Sequence, residues 1–477
     1  MVFSSLSFVG LFLPLVLVLH FAHRNAHWRN AVLLFASLLF YAWGELRFLP
    51  LLLLSIFMNL RFGVAIDDAR DKRRLRVLAV AIAANLLLLV IFKYLNFIVD
   101  NANLVLSLAG AEPIEMRQIK LPIGISFYTF HALSYLIDVY RRNVPAQRNF
   151  PQFSLYICLF PQLVAGPIIR YKDIRDQLAQ RLTTLEDFGA GAIRFVIGLA
   201  KKLLIANPLG AVADTAFGVS AGDIDPLDAW LGVFCYSLQI YFDFSGYSDM
   251  AIGLARMFGF RFPENFAYPY SARSIQEFWR RWHISLSTWF RDYVYIPLGG
   301  NRGGQARTLR NLWIVFLLTG AWHGASWNFI VWGAIHGFFL MMERWRPTAR
   351  LLQVMPQALQ HLYAMLVVTI AWVFFRAESL PDAIRYLGVM SGLGDASAVS
   401  MSVRAQFGNL WPLIVLGATL SFPVYPFLLR QYPAVWLKLE AMALDGVLRA
   451  AFLSGALVIC AAIMAVDQYN PFIYFRF

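Results

Sequence analysis

The stretch GAWHGASWNFIVWGAIHG, residues 320–337, lies inside the apolar run 308–342 and decides how this part of the chain can fold. As a single helix the run would be about 50 Å long at ~1.5 Å per residue, which is longer than one straight bilayer crossing requires. A break is therefore expected. Gly320, Gly324 and Gly333 are the residues at which we predict that the helix is interrupted.

The same glycines predict close helix packing. Gly320-x-x-x-Gly324 and Gly333-x-x-x-Gly337 are small-residue spacings that let two helix backbones approach each other. His323 lies within the first spacing, so we expect it to face a tight protein interior and not lipid. An ionisable side chain inside a membrane is a functional-site hypothesis by default. The simpler interpretation is a buried histidine that is satisfied by one hydrogen bond.

The composition is typical of an integral membrane protein. Of the 477 residues, 59% are hydrophobic and 14% are charged, whereas soluble domains have roughly a quarter charged residues. Apolar stretches long enough for a span of ~20 residues lie at about 6–22, 31–43, 47–64, 77–99, 121–139, 152–169, 190–206, 228–258, 308–342, 360–375, 411–429 and 448–466. We predict an all-α, polytopic membrane protein with about ten to twelve crossings. Residues 1–477 are expected to form a single membrane domain, because no polar interruption is long enough for a soluble domain.

The net charge of +13 is explained by topology. Lysine and arginine lie mostly in short loops, and residues 70–76, after the third apolar stretch, are especially rich in them. Under the positive-inside rule this pattern places the N-terminus outside the cytoplasm, and it gives no support to nucleic-acid binding. The three cysteines form no spacing motif, and no histidine or cysteine pattern indicates a metal site.

Residues 260–310 are aromatic, basic and too polar to face lipid. Such a segment is tolerated at membrane depth where it is buried in protein or lines water. Ser274 and Glu277 form a capping-box pattern, and Glu277 lies four residues before Arg281. These signals predict one helix from Ser274 to about Tyr293, interfacial or re-entrant on the cytoplasmic side, and the glycine-rich PLGGNRGG that follows is expected to end it.

Histidine is suited to acyl transfer because a pKa of about 6.5 lets it accept and return a proton at neutral pH. We predict that His323 is this base. On one continuous helix His283 would share a face with Trp279 and Ser287, which would direct its ring into the same cavity. The alternative for His283 is an interfacial helix with a histidine among aromatic anchors. His336 would lie on a different face from His323 if the helix continued, and it is the weaker candidate.

Two further polar groups lie in apolar segments. His131 has Asp138 on the same segment, and such a pair suits either proton-coupled transport or simple helix–helix hydrogen bonding. The segment YFDFSGYSD, residues 241–249, contains Asp243 and is predicted to break at Gly246, forming a polar cavity wall or a discontinuous helix. A proton-coupled transporter is the alternative function from another class, and the lack of a visible internal repeat argues against it.

Five stretches of the chain together resemble the membrane-bound O-acyltransferase family. They are GISFYTF (124–130), FPQLVAGPIIRY (160–171), QEFWRRWHISLSTWFRDYVYIPLGGNRGG (276–304), GAWHGASWNFIVWGAIHG (320–337) and FIYFRF (472–477). The resemblance covers essentially the whole chain, and it is strongest to the bacterial branch whose members acetylate alginate or transfer D-alanine to teichoic acid. It implies a ring of tilted helices around a thin central region, with re-entrant helices and a tunnel between a cytoplasmic and an outer funnel.

The resemblance also implies roles for individual residues. His323 matches the invariant histidine of the family and His283 matches its second functional position, so both are expected to be catalytic. The residues expected to line the tunnel or the donor site are Trp279, Trp282, Trp322, Gly324, Asp243 and Ser287. No bound cofactor is implied.

The function that follows is an O-acetyltransferase of the bacterial inner membrane. It would pass acetyl groups from cytoplasmic acetyl-CoA across the membrane for O-acetylation of an exopolysaccharide, with alginate as the expected polymer. A periplasmic or membrane-anchored acetyltransferase of the SGNH type is the expected partner. The alternatives within the family are cellulose, another polysaccharide, teichoic acid or a lipid as acceptor.

Tyr474 in the closing FIYFRF is a candidate acyl relay. If the C-terminus lies outside the cytoplasm, its hydroxyl could fold back into the outer funnel, accept the acetyl group and pass it to the partner. In the teichoic-acid branch a similar motif on a small partner protein suggests such a relay. An aromatic anchor at the membrane interface is the simpler alternative.

Overall fold

A computed structural model of the chain describes residues 2–218, 224–393, 401–432 and 444–466. The described residues form helices joined by turns and loops, and none of them lies in a β-strand. The all-α fold class predicted from the sequence is therefore confirmed. Tyr474, the candidate acyl relay, lies outside the described residues.

The described helices fall into two compact units, one within Met1–Ala192 and Ala251–Pro263, and the other within Ile193–Met250 and Glu264–Arg476. The helices up to residue 218 are α1 (Leu13–Phe21), α2 (Ala26–Glu45), α3 (Leu49–Asp68), α4 (Asp71–Leu89), α5 (Leu95–Leu108), α6 (Ile125–Tyr140), α7 (Phe150–Cys158), α8 (Phe160–Leu163), α9 (Tyr171–Ala179), α10 (Leu185–Ala200) and α11 (Asn207–Gly218). The single membrane domain expected from the sequence stays a prediction.

The later helices and the turns between them contain the predicted site residues other than Tyr474. These helices are α12 (Pro226–Met257), α13 (Ile275–Arg281), α14 (Ile284–Phe290), α15 (Gln305–His323), α16 (Trp327–Arg344), α17 (Arg346–Val354), α18 (Gln357–Arg376), α19 (Leu380–Met390), α20 (Met401–Leu420), α21 (Val424–Gln431) and α22 (Leu444–Val466). A π-helical turn at Arg291–Tyr295 extends α14. Four glycines with positive φ then follow within PLGGNRGG, which ends the helix as predicted.

Several helices are long and apolar enough to cross a membrane. By length and composition, and over the described residues alone, five stretches qualify: Ala26–Asp68, Asp71–Leu108, Leu185–Gly218, Gln357–Arg376 and Gly446–Val466. A helix pair bent by 64°, Val403–Leu420 with Val424–Gln431, would make a sixth. The first two stretches, of 43 and 38 residues, are about twice the ~20 residues that one crossing needs. The protein is thus a multi-pass membrane protein, and the predicted ten to twelve crossings are not confirmed by this count.

The predicted break at Gly246 is wrong, and the apolar stretch 152–169 is interrupted. The stretch 152–169 is not one helix, because Leu159 leaves the helical region with ψ 114° and Pro161 lies at the start of the next helix. In contrast, α12 continues without a break through Gly246. A Cβ at Gly246 would lie 2.7 Å from the carbonyl oxygen of Gly198. The glycine therefore permits close helix packing and does not interrupt the helix.

The run 308–342 is broken, as predicted, and the break lies at Gly324. This residue is extended, with φ −160° and ψ 152°, so α15 ends at His323 and α16 begins at Trp327. The other two glycines proposed as break points, Gly320 and Gly333, remain helical. His323 is therefore the last residue of α15, at the point where the chain turns.

The two helices pack against each other as an antiparallel hairpin through their glycines. A Cβ at Gly320 would lie 2.2 Å from the carbonyl oxygen of Phe329, and a Cβ at Gly333 would lie 2.3 Å from that of Phe316. Gly337 faces the side chain of Phe316 one turn further along. Real Cβ atoms cannot approach a carbonyl oxygen so closely, so the backbone contact depends on glycine at these positions, as the small-residue spacing predicted.

We expect Gly320→Ala to lower the stability of the folded protein by about 1–3 kcal/mol, because the new methyl group must push α15 and α16 apart. The measurement is the melting temperature of the detergent-solubilised protein. Gly388→Ala in α19 is the control, since a Cβ there meets nothing within 4 Å, and it should leave the melting temperature unchanged or slightly higher. Equal melting temperatures for the two variants would contradict the proposed backbone contact.

Candidate active site

The helix α13 begins as the sequence predicts. The Ser274 hydroxyl accepts a hydrogen bond from the Glu277 amide at 3.0 Å, and Glu277 forms an ion pair with Arg281 at 2.7 Å. Burial by itself raises the pKa of the Glu277 carboxyl, but hydrogen bonds from the Arg273 amide and from Arg281 hold that pKa below its ordinary value. The carboxylate stays ionised and fixes the first turn.

The prediction that this helix continues to Tyr293 is wrong. α13 ends at Arg281, and His283 adopts the left-handed conformation with φ 44° and ψ 54° before α14 begins. The left-handed region is unfavourable for a residue with a side chain, and such strain is maintained only where surrounding contacts impose it. Trp279, His283 and Ser287 therefore do not share one helix face.

Asn265 supplies the contacts that impose this conformation. Its backbone oxygen accepts a hydrogen bond from the Ile284 amide at 2.9 Å. Its side-chain Oδ1 lies 3.2 Å from Nδ1 of His283, and it accepts bonds from the Ser285 amide at 3.1 Å and the Ser285 hydroxyl at 2.9 Å. His283 is fully buried and its ring meets that of Phe244 at 4.7 Å. The turn is thus held by a residue eighteen positions earlier in the chain.

The structure brings the two predicted catalytic histidines together. Their ring centroids are 6.5 Å apart, although forty residues separate them in the sequence. His323 is 3% exposed, and its ring is surrounded by Trp322 at 4.9 Å, Trp332 at 4.9 Å and Phe375 at 5.2 Å. Both imidazoles therefore lie in an aromatic, poorly hydrated environment, where electrostatic interactions are stronger than in water.

His336 lies nearer to this pair than the sequence suggested. Because the helix breaks at Gly324, the single ring of Trp332 contacts His323 at 4.9 Å and His336 at 5.0 Å. His336 is fully buried and stacks parallel to the ring of Phe278 on α13 at 6.0 Å. Its contacts join α16 to α13, which is a packing role.

A cavity of about 460 Å³ lies among α13, α14, α15 and α16. Two of the residues predicted to line the donor site, Trp279 and Ser287, lie on its wall. Three arginines that the sequence analysis did not single out, Arg280, Arg291 and Arg344, lie there too. The rest of the wall is largely apolar side chains of α14, α15 and α16. The cavity therefore combines an apolar interior with concentrated positive charge.

Neither His283 nor His323 is part of the cavity wall. Trp279 and Trp332 lie between the cavity and His323. Trp279 contacts Trp332 at 5.8 Å, and Trp332 in turn contacts His323. Trp282, Trp322 and Gly324 are likewise absent from the wall. A continuous tunnel that reaches His323 stays a prediction, and Trp279 is the residue at which the described cavity would have to open toward it.

Two aspartates of α12, the buried Asp243 and the partly buried Asp249, are held in ion pairs. Asp243 pairs with Lys202 at 2.7 Å, and both side chains are almost fully buried. Asp249 pairs with Arg194 at 2.9 Å and Lys201 at 2.6 Å. Asp243 was predicted to line the tunnel, but it is not on the wall of the cavity. A buried ion pair is costly to break, so these contacts indicate that both carboxylates fix the arrangement of helices.

His131 and Asp138 make hydrogen bonds to neighbouring segments of the chain. Its Nε2 accepts a hydrogen bond from the Ile169 amide at 3.3 Å, and the ring lies against Tyr156. Asp138 on the same helix accepts a bond from the Asn143 side chain at 2.9 Å. Both groups are fully buried. These contacts favour the simpler interpretation, in which the two residues hold neighbouring segments together.

Glu343 at the end of α16 is a further residue that the sequence analysis missed. Its carboxylate accepts hydrogen bonds from the backbone amides of Ile275 at 2.5 Å and Gln276 at 2.9 Å, the first two residues of α13. The hydroxyl of Tyr363 donates a third bond at 3.3 Å. A carboxylate at a helix N-terminus satisfies unpaired amides and interacts favourably with the helix dipole. Glu343 therefore ties α13 to α16, a long-range contact that no local pattern could have indicated.

Comparison with known proteins adds to this geometry. The model of the membrane-bound O-acyltransferase family matches residues 38–379, which include both histidines. A probable alginate O-acetylase of Azotobacter vinelandii is 43% identical over 100% of both chains, and one of Pseudomonas aeruginosa is 46% identical over 91% of this chain and 82% of its own. A peptidoglycan O-acetyltransferase of Helicobacter pylori is 36% identical over 85% of this chain and 82% of its own.

We expect Glu343→Leu to lower stability by about 2 kcal/mol or more, because it leaves two helix-terminal amides without an acceptor. Tyr363→Phe is the matched control, since it removes only the long third bond and should cost less than about 1 kcal/mol. The melting temperature of each purified variant measures the effect. If Glu343→Leu has the same melting temperature as the wild type, the carboxylate does not hold α13 in place.

Proposed function

The chain belongs to the membrane-bound O-acyltransferase family, and from this premise we propose that it transfers acetyl groups from acetyl-CoA for the O-acetylation of the exopolysaccharide alginate. The observation that carries the proposal is the meeting of His283 and His323, distant in sequence, within one buried aromatic cluster. The full-length similarity to alginate O-acetylases, at 43–46% identity, supports the polymer. The lower identity of 36% to the peptidoglycan enzyme makes peptidoglycan the weaker choice.

In the proposed reaction His323 is the general base. Its imidazole takes the proton from the acceptor hydroxyl while the hydroxyl oxygen attacks the carbonyl carbon of the acetyl thioester. A new carbon–oxygen bond forms and the carbon–sulfur bond of the donor breaks. The imidazolium then returns the proton to the departing thiolate, which leaves as the thiol of coenzyme A. Histidine fits this task because it both gains and loses a proton near neutral pH.

His283 is proposed to assist as a second proton acceptor. At a centroid separation of 6.5 Å, the two rings are close enough to share a proton through one bridging water molecule. Sharing would stabilise the positive charge that develops on His323 in surroundings that otherwise penalise it. Trp322 contacts both rings and Trp332 contacts that of His323, and these tryptophans would keep bulk water away from the thioester.

The cavity beside α13 is proposed to be the donor site. Coenzyme A carries phosphate groups, and Arg280, Arg291 and Arg344 offer guanidinium groups that bind phosphate in bidentate fashion. The slim pantetheine arm would extend along the apolar wall past Trp279 toward His323. Since a basic segment favours the cytoplasmic side, we assign this cavity to the cytoplasmic face of the bacterial inner membrane.

The acetyl group would leave the protein on the opposite side. A periplasmic or membrane-anchored acetyltransferase of the SGNH type is the proposed partner that completes transfer to the polymer, with Tyr474 as the proposed relay. Proton-coupled transport, the alternative from another class, has less support. The carboxylates of Asp243 and Asp249 are held in ion pairs, and the family consists of acyltransferases.

His323→Ala should abolish acetylation of the polymer in cells, because no other group is proposed to activate the hydroxyl. The loss should be at least about a hundredfold, with the melting temperature of the purified variant close to that of the wild type. His27→Ala, a change at an exposed histidine, is the control and should retain full acetylation. Normal amounts of acetylated polymer in the His323 variant would show that the base is assigned wrongly.

Replacement of Arg280, Arg291 and Arg344 together by glutamine should raise the Kd for coenzyme A by at least about tenfold, because charge-assisted hydrogen bonds to phosphate are lost. Calorimetric titration of the purified protein with coenzyme A measures the effect. Arg385→Gln is the control, since Arg385 is exposed on α19 and pairs with Asp382. An unchanged Kd in the triple variant would place the donor elsewhere.

A further inference from the structure

We propose that Asn265 is a positioning residue that fixes His283 in the tautomer with its proton on Nδ1 and its lone pair on Nε2. The inference rests on the proposed function, because it gives His283 its part in proton transfer. Asn265 lies eighteen residues before His283, on the loop that precedes α13. No spacing in the sequence pointed to it.

A hydrogen bond from Ser285 determines the orientation of the Asn265 amide. The backbone amide of Ser285 can only donate a hydrogen bond, and it lies 3.1 Å from the side chain of Asn265. The group that faces it must therefore be the oxygen Oδ1 and not the NH₂ group. The Ser285 hydroxyl, 2.9 Å away, donates to the same oxygen. The backbone amide of Ser285 thus settles which end of the Asn265 side chain points toward the turn, and the hydroxyl is consistent with that orientation.

The orientation of the Asn265 amide determines the tautomer of His283. Nδ1 of His283 lies 3.2 Å from this same oxygen, and an amide oxygen can only accept. Nδ1 must then carry a hydrogen and donate it. In a neutral imidazole one nitrogen is a donor and the other an acceptor, so Nε2 holds the lone pair. In this state His283 accepts a proton at Nε2, as the proposed sharing with His323 requires.

Contacts on both sides hold the Asn265 loop in place. Asn265 is 1% exposed, and its backbone oxygen is bonded to the Ile284 amide. The residue before it, Glu264, forms an ion pair with Arg194, which also binds Asp249. The loop is therefore anchored to α10 and α12 on one side and to the His283 turn on the other.

The surroundings of His283 determine what a change at Asn265 would do. Phe244 of α12 and Trp322 and His323 of α15 face its ring, so the titratable neighbour among these is His323. The NH₂ group of Asn265 is buried and makes no hydrogen bond within the described residues. Asn265→Asp would therefore keep the acceptor oxygen and lose no hydrogen bond that the described residues make. It would add a negative charge beside Nδ1 of His283.

The test is the pH dependence of acetyl transfer by purified variants of the full chain. In Asn265→Asp the carboxylate stabilises protonated His283, so the acid limb of the pH–rate profile should move to higher pH by about one unit or more. Asn265→Ala removes the acceptor, and we expect kcat to fall at least about tenfold while KM for acetyl-CoA stays unchanged.

Asn328→Ala is the control for the loss of a buried asparagine. Asn328 is 2% exposed, and among the described residues its side chain donates one hydrogen bond, to the Ala377 carbonyl oxygen at 2.8 Å. This variant should keep the acid limb of the wild type. The proposal is overturned if folded Asn265→Asp keeps the wild-type acid limb, if folded Asn265→Asp is as inactive as Asn265→Ala, or if Asn265→Ala keeps the wild-type kcat.

If the variants fail to fold, nitrogen-15 NMR of histidine-labelled wild-type protein determines the tautomer of His283 directly. The expected result is an Nδ1–H resonance that disappears in His283→Gln, whereas an Nε2–H resonance from that residue would overturn the proposal. This measurement does not depend on acetyl transfer. Failure of the proposed function, seen as activity that survives His323→Ala, is therefore distinguishable from failure of the Asn265 assignment.

Discussion

The backbone contact between α15 and α16 is the constraint on which the site depends. Gly320 and Gly333 let the two helices touch at distances that no side chain would permit. One end of this hairpin carries His323 on the last residue of α15. The other end carries Glu343, which binds the first amides of α13. Since α13 leads directly into the turn at His283, this helix contact fixes where the turn begins, and Asn265 then fixes the conformation of His283 itself.

The aromatic surroundings explain how two imidazoles are kept in a membrane protein at acceptable cost. Burying a polar ring is unfavourable unless its nitrogens find partners or serve a function. For His283, Asn265 provides a hydrogen-bond partner to the ring nitrogen Nδ1. Tryptophan and phenylalanine rings pack around His323. Among the described residues, arginines lie on the cavity wall and a buried ion pair involves Asp243 of α12.

Local patterns predicted what depends on local interactions. The glycine spacing indicated the break near Gly324 and the close packing, and the Ser274 capping pattern marked the start of α13, because helix starts and breaks are encoded within a few residues. The turn at His283 was missed because a distant loop imposes it through Asn265. Gly246 was misjudged for a related reason. A glycine in an apolar segment permits either a break or a close contact, and only the partner helix decides which.

The proposed path of the acetyl group runs from the cavity beside α13 past Trp279 and Trp332 to the buried histidine pair. Proteoliposomes that contain radiolabelled acetyl-CoA, with alginate and a periplasmic extract outside, test this account most directly. It predicts that the label appears on the alginate with wild-type protein and is absent when both histidines are replaced. Label that stays on coenzyme A with the wild type, or transfer that persists without the histidines, would contradict it.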